Sequence, residues 1–230
     1  MESDDHFCPL CLSPIKHEAD FVFKGRNFYR CDECHLLSVC PDALPDAQTE
    51  KNRYLNHQNT IENTGYTQFL QQVVDPIIDF IPKGAKGLDY GCGPAPVLVD
   101  LLKKEGYECA YYDPFFYPEL PLQKYQFITA TECFEHFHKP LVEIEKILDL
   151  LVEEGILALM TETWSEIESL NNWHYIRDIT HVSIFNIKTM EWMTSKFDLK
   201  NSDNKWFCIE PELCVRIRNR FYNAYLKALF

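Results

Sequence analysis

The stretch Gly87-Leu88-Asp89-Tyr90-Gly91-Cys92-Gly93-Pro94 constrains the fold more than any other part of the chain. A short apolar run carries an acidic residue near its end, and two glycines follow at alternate positions. Val97, Leu98, Leu101 and Leu102 then recur at helical spacing. That order predicts a strand, a tight turn and a helix. Glycine lets backbone come close to a ligand because no Cβ intervenes. The first N–H groups of the following helix favour a negative group.

Downstream the pattern alternates. Strands are predicted to about Tyr90, over Glu108–Tyr112 ending at Asp113, over Gln126–Ala130 ending near Glu132, and over Ile156–Met160. A helix from about Leu141 to Val152, capped by Gly155, lies before the last of these. Alternating β and α elements argue for an α/β fold, a Rossmann-like doubly wound and mostly parallel sheet. Such sheets bind ligands beyond the carboxyl ends of their strands. Asp89 to Gly93, Asp113, Glu132 and Thr161 to Trp164 are therefore expected to converge. Upstream, Phe69, Leu70, Val73, Val74, Ile77, Ile78 and Ile81 mark a helical face, with Pro76 as a kink or a break. Residues 187–197 read as a helix. Leu199–Ile209 and Leu213–Ile217 read as an antiparallel edge pair.

Two C-x2-C pairs, Cys8/Cys11 and Cys31/Cys34, have nineteen residues between them. Each pair fits a tight turn that aims two thiolates at one point, and four thiolates suit a tetrahedral zinc ion. The aromatic span Phe21–Arg30 between them reads as a hairpin turning at Gly25. The arrangement resembles a zinc ribbon. So small a module needs its metal for structure. From about Pro41 to Gln58 the chain reads as linker.

The motifs around the glycine turn resemble those of a class I S-adenosylmethionine-dependent methyltransferase: Leu-Asp-Tyr-Gly-Cys-Gly-Pro, then Asp113 at the next strand end, then Thr131-Glu-Cys-Phe-Glu-His136. A nicotinamide dinucleotide fold needs a third glycine where this chain has Pro96. Ala95 replaces a further glycine common in the methyltransferase pattern. The resemblance implies S-adenosylmethionine held by Asp89, Gly91, Cys92, Gly93, Asp113, Pro114 and Glu132. Asp89 would anchor the turn and receive the cofactor amine, and Asp113 would accept the ribose hydroxyls. The family's usual third strand and helix are abbreviated over Pro114–Lys124. The E-x-x-E-H pattern also resembles that of Mg²⁺-dependent O-methyltransferases, which implies Mg²⁺ on Glu132, Glu135, His136 and His181. Without a metal, His136 or His181 would act as general base or position a hydroxyl. Trp164, Trp173, His174 and Tyr175 read either as a substrate lid or as packing.

These readings divide the chain into a zinc-ribbon module (1–42), a linker (43–65) and a methyltransferase domain (66–230). The net charge of −13 weighs against nonspecific nucleic-acid binding. Arg216, Arg218 and Arg220 read as the solvated face of a strand. The chain opens Met-Glu-Ser-Asp-Asp and carries ten cysteines, which fits a reducing, cytoplasmic setting, and no apolar run spans a bilayer. The expected acceptor is a small molecule. The alternatives are an RNA or ribosomal methyltransferase docking through the ribbon, and a non-catalytic cofactor-binding module. A protein partner is expected, if at all, on the ribbon or the apolar tail 221–230.

Overall fold

A computed structural model describes residues 6–57 and 59–199, together with the backbone of two strands, Phe207–Cys208 and Leu213–Ile217. Its centre is a six-stranded sheet. In sequence the strands are β4 (Lys86–Tyr90), β5 (Glu108–Tyr112), β6 (Tyr125–Thr131), β7 (Leu151–Met160), β10 (Phe207–Cys208) and β11 (Leu213–Ile217). In space the order is β10-β11-β7-β6-β4-β5. The pairs β4/β5, β4/β6 and β6/β7 are parallel, whereas β11 runs antiparallel to β7 and β10 to β11. This is the doubly wound sheet with an antiparallel edge that the sequence pattern predicts. The side chains of β10 and β11, including Arg216, and the segments containing Arg218, Arg220 and 221–230 lie outside the described residues.

Side chains alternate between the two faces, as strand geometry demands. Along β7, Ile156, Ala158 and Met160 face a core shared with α2 (Thr64–Ile78) and α3 (Val97–Lys104). Leu157 and Leu159 face the opposite core, with Ile144 and Ile147 of α4 (Pro140–Leu150) and Met190 and Met193 of α5 (Ile187–Lys196). Helix α2 continues through Pro76 to Ile78. Gly155 does not cap α4. The helix passes straight into β7 at Leu151, and Gly155 sits inside that strand beside a register shift opposite Tyr125–Phe127. No strand or helix forms over 114–124, and only an isolated bridge joins Asp113 to Tyr117. Strand β5 therefore closes the sheet as its edge.

The cysteine module builds a second sheet, in the order β1-β2-β3-β9-β8, from β1 (Phe21–Phe23), β2 (Arg26–Arg30), β3 (Leu37–Val39), β8 (Thr163–Trp164) and β9 (Ser183–Asn186). Lys24 and Gly25 turn the β1–β2 hairpin with positive φ, as the sequence predicts. Strand β3 pairs antiparallel with β9, so the first forty residues share a sheet with residues 163–186. They also share a core: Cys8, Leu10, Cys34 and Leu36 pack in one cluster with Leu88, Tyr90 and Phe134. The expected linker contains helix α1 (Ala47–Leu55), capped by Asp46, whose side chain accepts from the Thr49 N–H.

A Cβ on Gly87 would run into the Phe127 ring. Overpacking of this kind costs about 1–3 kcal/mol. Gly87→Ala is expected to lower the melting temperature by roughly 2–12 °C in differential scanning calorimetry. An unchanged melting temperature contradicts the packing described.

Candidate active site

A cavity of about 650 Å³ opens at the carboxyl ends of β4, β5 and β6. One wall is the turn after β4. Gly91 and Gly93 have φ of 83° and 66°, the left-handed region that favours glycine. A Cβ on Gly91 would lie 2.6 Å from the Cβ of Cys133, while one on Gly93 would meet nothing within 4 Å. The first glycine therefore allows the turn to nest against the β6 end, and the second leaves space beside the cavity.

Asp113 ties this turn to the next strand end. One carboxylate oxygen accepts the Gly93 N–H at 3.0 Å, and the other accepts those of Phe115 and Phe116 at 2.9 and 3.2 Å. Burial raises its pKa, against the pull of those N–H groups. Gly91, Cys92, Gly93, Asp113, Pro114 and Glu132 all line the cavity. Asp89 is the exception among the residues expected around the cofactor. Its register partner on β6 is Thr129, and the Thr129 hydroxyl donates to its carboxylate at 2.9 Å. The side chain is buried behind the turn and does not line the cavity. Burial pushes its pKa up to about 7.

The other wall is polar. Glu135 and His136 sit in a 3-10 turn after β6, and His181 lies in the loop before β9. The Glu135 carboxylate is fully buried and accepts the Thr161 hydroxyl at 2.8 Å through Oε2. His136 Nδ1 lies 3.0 Å from the Thr180 carbonyl, and His181 Nδ1 lies 2.8 Å from that of Tyr175. A carbonyl only accepts, so both Nδ1 atoms carry protons and both Nε2 atoms present lone pairs. Burial, then the nearby His136, pushes the His181 pKa down to about 3.

Three ligand atoms, one each from Glu135, His136 and His181, lie within 4.8 Å of one another. Glu132 lines the same cavity outside that cluster. This donor set does not fit Mg²⁺, which prefers oxygen ligands in octahedral array.

Further residues line the remaining side. Glu50, Tyr54 and His57 come from α1 and its exit, Tyr66 from α2, and His138 from the segment before α4. The Tyr54 hydroxyl donates to Glu50 at 3.2 Å, and His138 Nε2 stands 3.3 Å from the same carboxylate. In the sequence the aromatic and amide-rich stretch from Tyr54 to Tyr66 reads either as a cover over the cofactor or as a capped loop, and its place in the cavity wall agrees with the first; Glu50 and His138 carried no such signal. Trp164, Trp173 and Tyr175, by contrast, are packing residues rather than a lid. They join Phe21 and Phe28 of the cysteine module in one core cluster, and none lines the cavity. His174 is also absent from the cavity wall, and its Nε2 lies 3.0 Å from Glu162.

The four N-terminal cysteines also converge. Cys8 and Cys34 sulfurs are 3.5 Å apart, Cys11 and Cys31 sulfurs 3.3 Å, and all four lie within 4.8 Å of one another. A disulfide would need about 2.05 Å. Four thiolates on zinc at about 2.3 Å stand roughly 3.8 Å apart. The two knuckles match. Leu12 and His35 each follow the second cysteine with positive φ, and their N–H groups donate to Cys8 and Cys31 carbonyls at 3.0 Å. Contact with Cys34 and Cys8 drives Cys31 well below the ordinary thiol range. Contact with Cys31 pushes Cys8 up to about 12 and Cys34 higher still.

A family profile described as "Methyltransferase domain" matches residues 62–203. The chain belongs to this family. Its fold is that of the class I S-adenosylmethionine-dependent methyltransferases. No curated protein sequence matches it. Similar solved structures include a putative S-adenosylmethionine-dependent methyltransferase from Methanococcus maripaludis, with 11% identity over 75% of this chain and 92% of that one and a TM-score of 0.45. A putative methyltransferase from Bacillus halodurans has 15% identity over 55% and 67% of the two chains and a TM-score of 0.41. The plantazolicin methyltransferase BpumL, solved with S-adenosylhomocysteine, has 18% identity over 68% and 72% and a TM-score of 0.41.

The raised pKa of Asp89 has a stability consequence. Between the unfolded value of 3.8 and about 7, the folded chain binds a proton that the unfolded chain has lost. Stability therefore falls as pH rises through this window, by a total on the order of 4 kcal/mol, and levels off above it. Asp89→Asn removes this contribution. Urea titrations of the ligand-free protein at pH 4 to 8 are expected to show the variant gaining on the wild type up to about pH 7. A constant difference across that range contradicts the burial of Asp89.

Proposed function

We propose that the cavity binds S-adenosylmethionine against the Gly91–Gly93 turn and Asp113, and a small-molecule acceptor against His136 and His181. The juxtaposition of those two walls across one cavity carries this reading. The volume falls within the roughly 300–1,000 Å³ of small-molecule sites. The net charge of −13 disfavours the RNA alternative. A non-catalytic module is disfavoured by the open space at Gly93 and by the polar groups facing it. No helix among the described residues is long and apolar enough to cross a membrane.

The bound cofactor supplies a methyl group on a positively charged sulfur. The turn brings its backbone close to the cofactor where no Cβ intervenes, its Gly91 and Cys92 N–H groups staying on the Tyr112 carbonyl and that of Gly93 on Asp113, and Asp113 serves the ribose hydroxyls with the lone pairs its own N–H contacts leave. Asp89 acts from behind, holding the turn through Thr129. Glu132, Cys92 and Pro114 complete the cofactor wall. Tyr54, Tyr66 and Phe115 exclude water and orient the acceptor, so that positioning supplies much of the rate. His136 and His181 position the acceptor from the opposite wall. The four-cysteine centre holds structural zinc, whose charge relieves the crowding of thiolates.

Asp113→Ala is expected to weaken S-adenosylhomocysteine binding by about 10- to 100-fold in calorimetry, the value of a charge-assisted hydrogen bond, while zinc stays bound. Unchanged affinity overturns the cofactor assignment. For the zinc centre, exhaustive chelation or Cys31→Ser is expected to lower the melting temperature and release one equivalent of zinc. Full stability without any metal at the cysteines contradicts the structural role.

A further inference from the structure

The resemblance to Mg²⁺-dependent enzymes and the donor set disagree, and the disagreement is informative. We propose that Glu135, His136 and His181 form a second metal site, for a transition-metal dication of the zinc, iron or cobalt class. The site is separate from the cysteine centre.

The first observation is convergence. Two imidazoles and one carboxylate place their ligand atoms within 4.8 Å of one another. His136 Nε2 stands 3.8 Å from Glu135 Oε1, too far for a hydrogen bond. Metal–donor bonds of about 2.0–2.2 Å set neighbouring ligands roughly 3–3.5 Å apart. An ion therefore has to draw the three side chains in by about an ångström.

The second observation is independent. Glu135 Oε1 is a buried oxygen with no hydrogen-bond partner among the described residues, on a side chain with no exposure at all. Leaving a buried charged oxygen without a partner is costly, and this one faces the two imidazoles.

The third observation concerns the supports behind the ligands. A metal-binding histidine usually donates its other N–H to a carbonyl or carboxylate, and a ligating carboxylate is itself hydrogen-bonded. All three residues meet this description. His136 leans on the Thr180 carbonyl, His181 on the Tyr175 carbonyl, and Glu135 Oε2 on the Thr161 hydroxyl. Imidazole suits the middle and late first-row dications, and two histidines with one carboxylate leave further coordination positions open. All three ligands line the cavity, so those positions face it. The site deepens the reading of this wall as the acceptor side, but its existence does not depend on methyl transfer.

The test uses Co²⁺ on the full chain with its cysteine centre loaded with zinc. Wild type is expected to take up one further equivalent of Co²⁺, with ligand-field bands and no thiolate charge-transfer absorption. His181→Ala and Glu135→Gln, checked for folding by circular dichroism, are expected to weaken that uptake at least tenfold while keeping zinc and S-adenosylhomocysteine binding. Excess Mg²⁺ is not expected to displace the Co²⁺. No further uptake by wild type, uptake only with thiolate charge-transfer bands, or undiminished uptake by both folded variants overturns the proposal. The wild-type titration decides the matter if a variant does not fold. Loss of S-adenosylhomocysteine binding in wild type would instead count against the proposed function.

Discussion

Much of the cavity's polar wall depends on how one loop, residues 175–182, is held. Arg26 of the cysteine module donates to the Asp178 and His181 carbonyls at 2.9 and 2.6 Å. Arg53 of α1 pairs with the Asp178 carboxylate at 2.7 Å. Burial opposes the charge of Asp178, but hydrogen bonds from Arg53 and Thr180 outweigh it and hold the carboxyl well below the usual range. At the loop's end, Val182 donates to the Glu135 carbonyl and Val39 donates to Val182. The loop so clamped supplies the carbonyls of Tyr175 and Thr180, and these fix the tautomers of both histidines. The cysteine module and the helix after it are thus part of the mounting of the site.

The wall formed by the glycine turn has a different mounting. Parallel strands β4 and β5 end side by side, and Asp113 bonds back to Gly93 across the gap. Asp89 and Thr129 lock β4 to β6 behind the same turn. Backbone hydrogen bonds and two buried carboxylates hold this half, whereas side-chain contacts between distant segments hold the other. The two halves meet at Glu132–His136, where β6 gives way to the turn.

What the sequence made legible follows from how local each signal is. The glycine turn, the strand-end carboxylates and the two cysteine knuckles are read within a few residues, and the structure places them together. The abbreviation expected over Pro114–Lys124 is seen as well, and it leaves β5 at the sheet edge. Helix α1 was hidden because it has no apolar stripe, and the residue it buries is Glu50. The β3–β9 pairing was hidden because it joins segments about 145 residues apart, and short strands carry no mark of their partners. Trp164 and Trp173 have side chains suited equally to a lid and to a core, and only the neighbouring Phe21 and Phe28 decide between them. Asp89 turned inward because of Thr129, a residue on another strand. Gly155 misled because a glycine after a helical run reads as a cap.

Hydrogen–deuterium exchange with and without S-adenosylhomocysteine tests the central claim most directly, since it needs no knowledge of the acceptor. The account predicts slowed exchange over Tyr90–Pro94, Asp113–Tyr117 and Thr131–His136, with no change at the Cys8–Cys11 and Cys31–Cys34 knuckles. Protection that misses the first two of these segments, or that falls mainly on the cysteine module, would contradict it.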